Sequence, residues 1–318
     1  MGKFLTKAVC ILILFTVILA LNNSWRLVTP AVAWPYTLMG QNEVPDDFRQ
    51  LPADILHEKG RTGVQVMTYN IHHGKGLSGE LDLEKIAAVI KASKADIVGL
   101  QEVDRNFGER SNFQDQPELL AHYLGMHYVY GESLKVRHLR PGRGVGYYGN
   151  LLLSRYPILE SEVLRLPNRL GNEPRTALRA VVDIPNIGPT AVWVTHLGLS
   201  AVEREAQAKR LLEAIEKESL PSLLMGDFNA LAGSIEIRTL KAQLEDVAST
   251  FGLEGLGTFY GDPAKPRPRI DYIWTDQDLK AESYEVISSK ASDHLPVTAR
   301  LVVSSKSKEV QTIKGRGE

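Results

Sequence analysis

The sequence predicts an α/β chain in which two sheets are covered by helices, and three observations predict it. Apolar runs rich in Val and Ile recur along the chain and suit strands. Between two pairs of these runs lie segments whose apolar residues repeat at helical spacing. Several of the runs are apolar almost throughout, as in strands buried on both faces.

In chain order, Val64–Tyr69 reads as the first strand. Leu83, Ile86, Ala87 and Ile90 then recur at helical spacing, and the following run Asp96–Leu100 is strand-like, giving a strand, helix, strand order. Tyr148–Ser154, Ala177–Ile184 and Thr190–Thr195 are further strands. A second helix starts at Ser200, where Ser200 and Glu203 form a capping-box pattern and Val202, Ala206, Leu211, Leu212 and Ile215 supply an apolar face. Ser222–Met225, Ile270–Trp274 and Pro296–Val302 complete the strands, and neither internal repeats nor coiled-coil heptads occur.

Composition bounds the rest. A chain of 318 residues with 43% hydrophobic and 24% charged residues buries a large core, so one catalytic domain with appendages is the default. Net charge is −1, and the first 33 residues hold Lys3, Lys7 and Arg26 with no acid, leaving −4 for the remainder. No global basic surface advertises nucleic-acid binding. Lys3 and Lys7 before the apolar run Ala8–Leu21, with Ala31-Val32-Ala33 as a candidate cleavage site, form a secretory-signal pattern. Residues 1–33 are therefore a cleaved signal peptide or a retained membrane anchor, and the protein is expected to be secreted or extracytoplasmic. Cys10, the only cysteine, lies inside the run and reads as apolar filler. Residues 34–62, interrupted by Pro35, Pro45 and Pro52, form a linker; residues 63–303 form the domain; the polar stretch 304–318 is expected to be disordered.

Acidic, amide and histidine residues stand at the ends of the strand-like runs: Asn70, Glu102, His196, Asp227 with Asn229, Asp271, and Asp293 with His294. Emerging together at one sheet edge, they would build a metal-assisted hydrolase. Such chemistry must neutralise phosphoryl charge, activate a water and support the leaving oxygen. Glu102 is the natural ligand for a hard cation, Mg²⁺ or Mn²⁺, helped by Asn70 and by Asp293 through water. Asp227 and Asn229, two apart on an extended segment, point to one side. Asp227 is assigned to the attacking water and Asn229 to a phosphoryl oxygen, against a simple turn-forming pair. His294 has two acids, Asp293 and Asp271, available to fix its tautomer.

The ordered strings T-Y-N, L-Q-E, T-H-L, G-D-F-N, R-I-D-Y-I and S-D-H resemble the endonuclease/exonuclease/phosphatase family, the DNase I-like metal-dependent phosphodiesterases and phosphatases. The resemblance runs from about residue 64 to 303. It implies a four-layer sandwich of two packed mixed β-sheets flanked by helices. It also implies metal service by Glu102 and Asn70, and Asp271 as the partner that places His294 on the scissile phosphate. For His196 it implies contact with the phosphate or protonation of the leaving group, the other reading being a structural histidine.

Other positions stay open. Asn150, Arg175 and Arg179 either line the pocket or belong to solvent-facing strand edges, and His72 and His73 either touch substrate or form a solvated loop. The basic segments 135–143 and 265–269 either meet anionic backbones or head groups or are solvated loops. The expectation is a monomeric, exported metal-dependent hydrolase of a phosphoester, on a lipid head group or an inositol phosphate, with membrane association through the N-terminus. A secreted nuclease acting on nucleic acid is the alternative, and a binding protein on the same scaffold is the alternative outside enzymes.

Overall fold

The computed structural model describes residues 63–138 and 144–304. The expected leader and linker, residues 1–62, and all but the first residue of the expected tail lie outside the described residues.

The first half of the chain builds one sheet: β1 (Val64–Asn70), α1 (Leu83–Ser93), β2 (Ile97–Arg105), α2 (Gln116–Leu124), β3 (His127–Arg137) and β4 (Val145–Ser154). The second builds another: β5 (Ile158–Arg165), β6 (Thr176–Ile184), β7 (Gly188–His196), α3 (Ala201–Ile215), β8 (Ser222–Asp227), α4 (Ile235–Leu240), β9 (Glu245–Asp246), α5 (Val247–Thr250) and β10 (Asp271–Thr275). The chain then returns to the first sheet as β11 (Leu279–Val286) and β12 (Val297–Val303). The orders are β11-β12-β1-β2-β4-β3 and β5-β6-β7-β8-β10-β9. Both sheets are mixed, as expected.

Burial on both faces of the strands makes four layers. Val66, Ile97 and Leu152 of the first sheet meet Leu178, Val194 and Met225 of the second in the central core. Because neighbouring strand residues face opposite ways, Met67, Tyr69, Val98 and Leu100 turn outward onto Ile86 and Ile90 of α1 and Leu120 of α2. Trp193, Leu224 and Trp274 of the second sheet do the same against Leu211 of α3 and Ile237 of α4. Asp82 caps α1 by accepting from Lys85 N at 2.9 Å, and Lys94 ends it in a left-handed conformation.

Topology gathers the polar residues. β1 and β2 are parallel across α1, and β7 and β8 are parallel across α3, so each pair ends on the same side. β10 runs antiparallel to β8 and therefore starts where β8 ends. His196 lies opposite Asp227 and Asp227 opposite Asp271, which sets three candidate residues in a row along one edge.

Three sequence expectations are corrected. Edge strands β3, β5 and β11 are unforeseen; in β5 five consecutive residues are exposed, which removes any hydrophobic pattern. The helix at residue 200 begins where expected, but Ser200 makes no side-chain cap; Glu203 instead accepts from Arg169 N at 2.6 Å. Val202 is 59% exposed rather than on the buried face.

β7 and β8 approach so closely that a Cβ at Gly226 would lie 2.0 Å from the Thr195 carbonyl oxygen. Gly226→Ala should therefore force the strands apart and lower stability by about 1–3 kcal/mol, read by denaturant melting. An unchanged melt would refute this close approach.

Candidate active site

Asp227 is the hub. Its Oδ2 accepts from Asn70 Nδ2 at 3.0 Å and faces His196 Nε2 at 3.4 Å and His294 Nε2 at 3.6 Å, while its Oδ1 accepts from Asn229 N at 2.9 Å. Asn70 comes from β1 of the first sheet, so this hydrogen bond joins the two sheets at their common edge. The residue after next, Asn229, turns back with φ 49° to bring its N–H under the carboxylate. Burial raises the Asp227 carboxyl to about 7 against the opposing charge of His294, with Asp271 adding to the rise. A carboxylate poised there is suited to taking a proton from water.

His294 is oriented from behind. Its Nδ1 bonds Asp271 Oδ2 at 2.9 Å, and the same oxygen accepts from Thr258 Oγ1 at 2.6 Å. Burial lowers its pKa, but Asp271 and Asp227 outweigh that and push it up to about 10. The imidazolium thus donates from Nδ1 to Asp271 and presents its Nε2–H towards Asp227. His196 is the opposite case: burial, then Arg175 and His294, hold it well below the usual histidine range. Arg175 Nη1 lies 2.9 Å from its Nδ1 and can only donate, so the neutral ring carries its proton on Nε2, facing Asp227. Asn229 Nδ2 sits 3.1 Å from that same Nε2 and donates to Leu197 O at 3.0 Å.

Glu102 reaches the site through a bulge. Between Leu100 and Val103 the pairing of β2 with β4 shifts by one residue, and Glu102 adopts φ 59°. A Cβ at Gly149 opposite would lie 2.0 Å from Gly131 O, so the chain needs glycine there. The half-buried Glu102 carboxylate accepts from Asn70 Nδ2 at 3.1 Å. Asn70 Oδ1 is taken by His72 N at 3.0 Å. Asp293 Oδ1 lies 3.2 Å from Ser292 Oγ and 3.6 Å from His72 Nδ1.

The remaining candidates separate. Arg175 approaches the site through His196 and pairs with Glu173 at 2.9 Å. Asn150 donates to Thr176 O at 3.0 Å, with its Oδ1 buried and unpartnered. Arg179 pairs with Glu160 and Glu218. The pair His72–His73 is not a solvated loop: it lies in a one-turn 3₁₀ segment, His72–Gly74, with His73 buried and burial lowering its ring pKa to about 3. Lys135 and Arg137 belong to β3, and Arg269 is buried in a bidentate pair with Asp246 at 2.9 and 2.7 Å. Lys135 and Arg137 are thus solvated but on a strand rather than a loop, Lys265 and Arg267 are exposed in a loop as expected, and only Arg269 departs from the solvated reading.

Sequence reasoning missed Thr258 and Ser292. Thr258 Oγ1 also accepts from Ile270 N and Asp271 N, both at 3.1 Å, and Ser292 Oγ donates to Asn70 O at 2.8 Å. Ser292 stands beside Asp293 in the S-D-H string, a signal that could have found it; Thr258 carries none.

A profile described as "Endonuclease/Exonuclease/phosphatase family" matches residues 67–294. The chain belongs to the endonuclease/exonuclease/phosphatase family. It is 28% identical over 262 residues to the Escherichia coli K12 uncharacterized protein YbhP, covering 74% of this chain and 95% of that protein. An endonuclease/exonuclease/phosphatase from Beutenbergia cavernae superposes with a TM-score of 0.65 at 28% identity, covering 77% of this chain and 72% of that one. A mannosyl-6-phosphatase from Bacteroides thetaiotaomicron shares the fold, with a TM-score of 0.59 at 20% identity and coverage of 75% and 99%. Endonuclease/exonuclease/phosphatase members are generally phosphoester hydrolases that use a divalent metal. Among the described residues a donor set fits one: ligand atoms of His72, His73 and Glu102 lie within 4.8 Å of one another, whereas the equally tight cluster of Asp227, Asp271 and His294 is closed by the protonated histidine.

Thr258→Val would leave two backbone N–H groups without their acceptor and free Asp271 on one side. A stability loss of about 1–3 kcal/mol in denaturant melts is expected. A loss below about 0.5 kcal/mol would contradict this anchoring role.

Proposed function

We propose that this chain is an exported, metal-dependent phosphoesterase that hydrolyses a phosphodiester or phosphomonoester on a lipid or inositol-phosphate head group. The observation that carries the chemistry is the convergence of Asn70, His196 and His294 on one oxygen of buried Asp227. Asp227 orients the attacking water and accepts its proton. His196 donates from Nε2 to a phosphoryl oxygen. His294, kept cationic by Asp271, offsets the charge that grows on the phosphoryl group. Asn229 holds the His196 loop through Leu197 O and stands ready for a phosphoryl oxygen. Glu102, with Asn70 and with Asp293 through water, would hold Mg²⁺ or Mn²⁺; the Asn70 Oδ1 that accepts from His72 N keeps a second lone pair for the ion. When bound, the cation supplies charge neutralisation and a more acidic water. No side chain is required as a nucleophile, so the displacement is direct.

An apolar lip supports the lipid reading. Leu199 and Val202, just beyond His196, are 78% and 59% exposed; Leu231 and Ile235, just beyond Asn229, are 58% and 51% exposed. Arg204 ties the two segments, donating to Leu199 O at 2.7 Å and pairing with Glu236 of α4. Large apolar side chains left in water beside a charged site suit a substrate with a charged head and an apolar body. Lys3, Lys7 and the run Ala8–Leu21 support export and contact with a membrane surface.

The test is hydrolysis by the full chain with Mg²⁺ or Mn²⁺, against sphingomyelin, phosphatidylinositol, inositol phosphates and plasmid DNA. Head-group release is expected, abolished by EDTA and cut by roughly 10²–10⁴-fold in His294→Ala and Asp227→Asn. DNA cleavage alone would make the protein a nuclease, and silence across the panel would make it a binding protein.

Leu199→Ser combined with Leu231→Ser should lower turnover on vesicles roughly 5–150-fold, the equivalent of about 1–3 kcal/mol of lost apolar contact, while sparing a soluble short-chain substrate. Equal loss on both substrates would refute the role of the lip.

A further inference from the structure

We infer that His72 and His73 join Glu102 in holding the divalent cation, so that the site takes a first-row transition metal such as Mn²⁺, Co²⁺ or Zn²⁺ in preference to Mg²⁺. This rests on the metal-dependent reading above only in placing a cation at Glu102; which ligands hold it can be read without any turnover.

One ligand atom from each of the three residues lies within 4.8 Å of the others, a spread that a single ion can span. The second observation is independent of that cluster. His73 is only 7% exposed, and its Nδ1 is buried with no hydrogen-bond partner. A buried polar atom left unpaired costs about 1–3 kcal/mol. A cation accepting the ring's lone pair removes that cost.

The surroundings hold both rings for such a task. His72 N is fixed by Asn70 Oδ1 at 3.0 Å, and His73 O accepts from Gln116 Nε2 at 2.7 Å. The rings pack edge to face, with centroids 4.6 Å apart. Asp293 Oδ1 lies 3.6 Å from His72 Nδ1, the position from which a carboxylate orients a liganding imidazole and leaves its Nε2 free. That gives Asp293 a role in positioning His72 in addition to any water-mediated contact. Of the two nearby cations, Arg110 is neutralised by two bonds to Asp104 at 2.9 and 2.7 Å, and Lys75 is exposed to solvent.

Ligand chemistry then sets the preference. Mg²⁺ favours oxygen and gives up water reluctantly, whereas imidazole suits the transition metals. Two imidazoles and one carboxylate therefore favour the latter.

The test uses the full chain, stripped of metal and titrated with MnCl₂ and MgCl₂ by calorimetry, with pulsed EPR of the Mn²⁺ complex to detect coupling to ring nitrogen. Mn²⁺ should bind at least about tenfold more tightly than Mg²⁺ and show nitrogen coupling. His73→Asn, chosen because asparagine tolerates the positive φ of this position, should weaken Mn²⁺ roughly 10–100-fold and remove or reduce the coupling. Coupling absent from the wild type, or unchanged in His73→Asn, would overturn the inference. Should that variant fail to fold, ¹⁵N spectra of wild-type histidines during Zn²⁺ titration read the same bond. A shifted His73 ring nitrogen supports it and an unmoved one overturns it. Metal binding through nitrogen without any phosphoester hydrolysis would defeat the proposed function and leave this inference standing.

Discussion

The hydrogen bond from Asn70 to Asp227 ties the two sheets together at their common edge, and the rest of the site depends on it. A carboxylate buried this deeply is tolerable only where donors surround it. Asn70 Nδ2, Asn229 N and the two histidine edges supply them, from both sheets. The site is therefore held by the sandwich rather than by loops alone. If β1 slipped by one residue against β2 and β12, Asn70 would face away and the Asp227 charge would lose its cross-sheet donor.

Around that hub the two histidines are set to opposite states by their neighbours. Asp271 behind His294 keeps a proton on, and Arg175 behind His196 keeps one off. A cationic donor and a neutral donor thus face one carboxylate of near-neutral pKa, a division of labour that water-driven phosphoester cleavage can use. The family's fold carries phosphatases and nucleases alike, so this arrangement defines a reaction type and leaves substrate choice to what rims it. Here exposed Leu199 and Val202 follow His196 in the chain, and exposed Leu231 and Ile235 follow Asn229.

Most of the frame was legible in the sequence because the strands that build the site are central ones. β1, β2, β7, β8 and β10 are buried on both faces, so their apolar runs and the polar residues ending them stand out. Edge strands β3, β5 and β11 do not: β5 is exposed over five consecutive residues, and bulges interrupt the alternation of β3 and β11. Other features depend on partners far away in the chain. Arg269 looked like part of a basic patch, yet it is consumed by Asp246, 23 residues earlier. Thr258 is an isolated threonine until β10 starts beneath it, and His73 is an ordinary loop residue until α2 brings Gln116 onto its carbonyl. Val202 failed in the other direction. Its helical spacing placed it with the core, but in the first turn of α3 it is exposed while its neighbour Glu203 is buried.

The central claim is that a water directed by Asp227 attacks phosphorus, so that the P–O bond and not the C–O bond is cleaved. It is tested most directly by a single turnover of the full chain in H₂¹⁸O with the substrate that the panel identifies. The account predicts one ¹⁸O atom in the phosphoryl product, on the first turnover, at a rate that falls with Asp227→Asn. Label in the alcohol product, or a first turnover whose phosphoryl product carries no label, would contradict it.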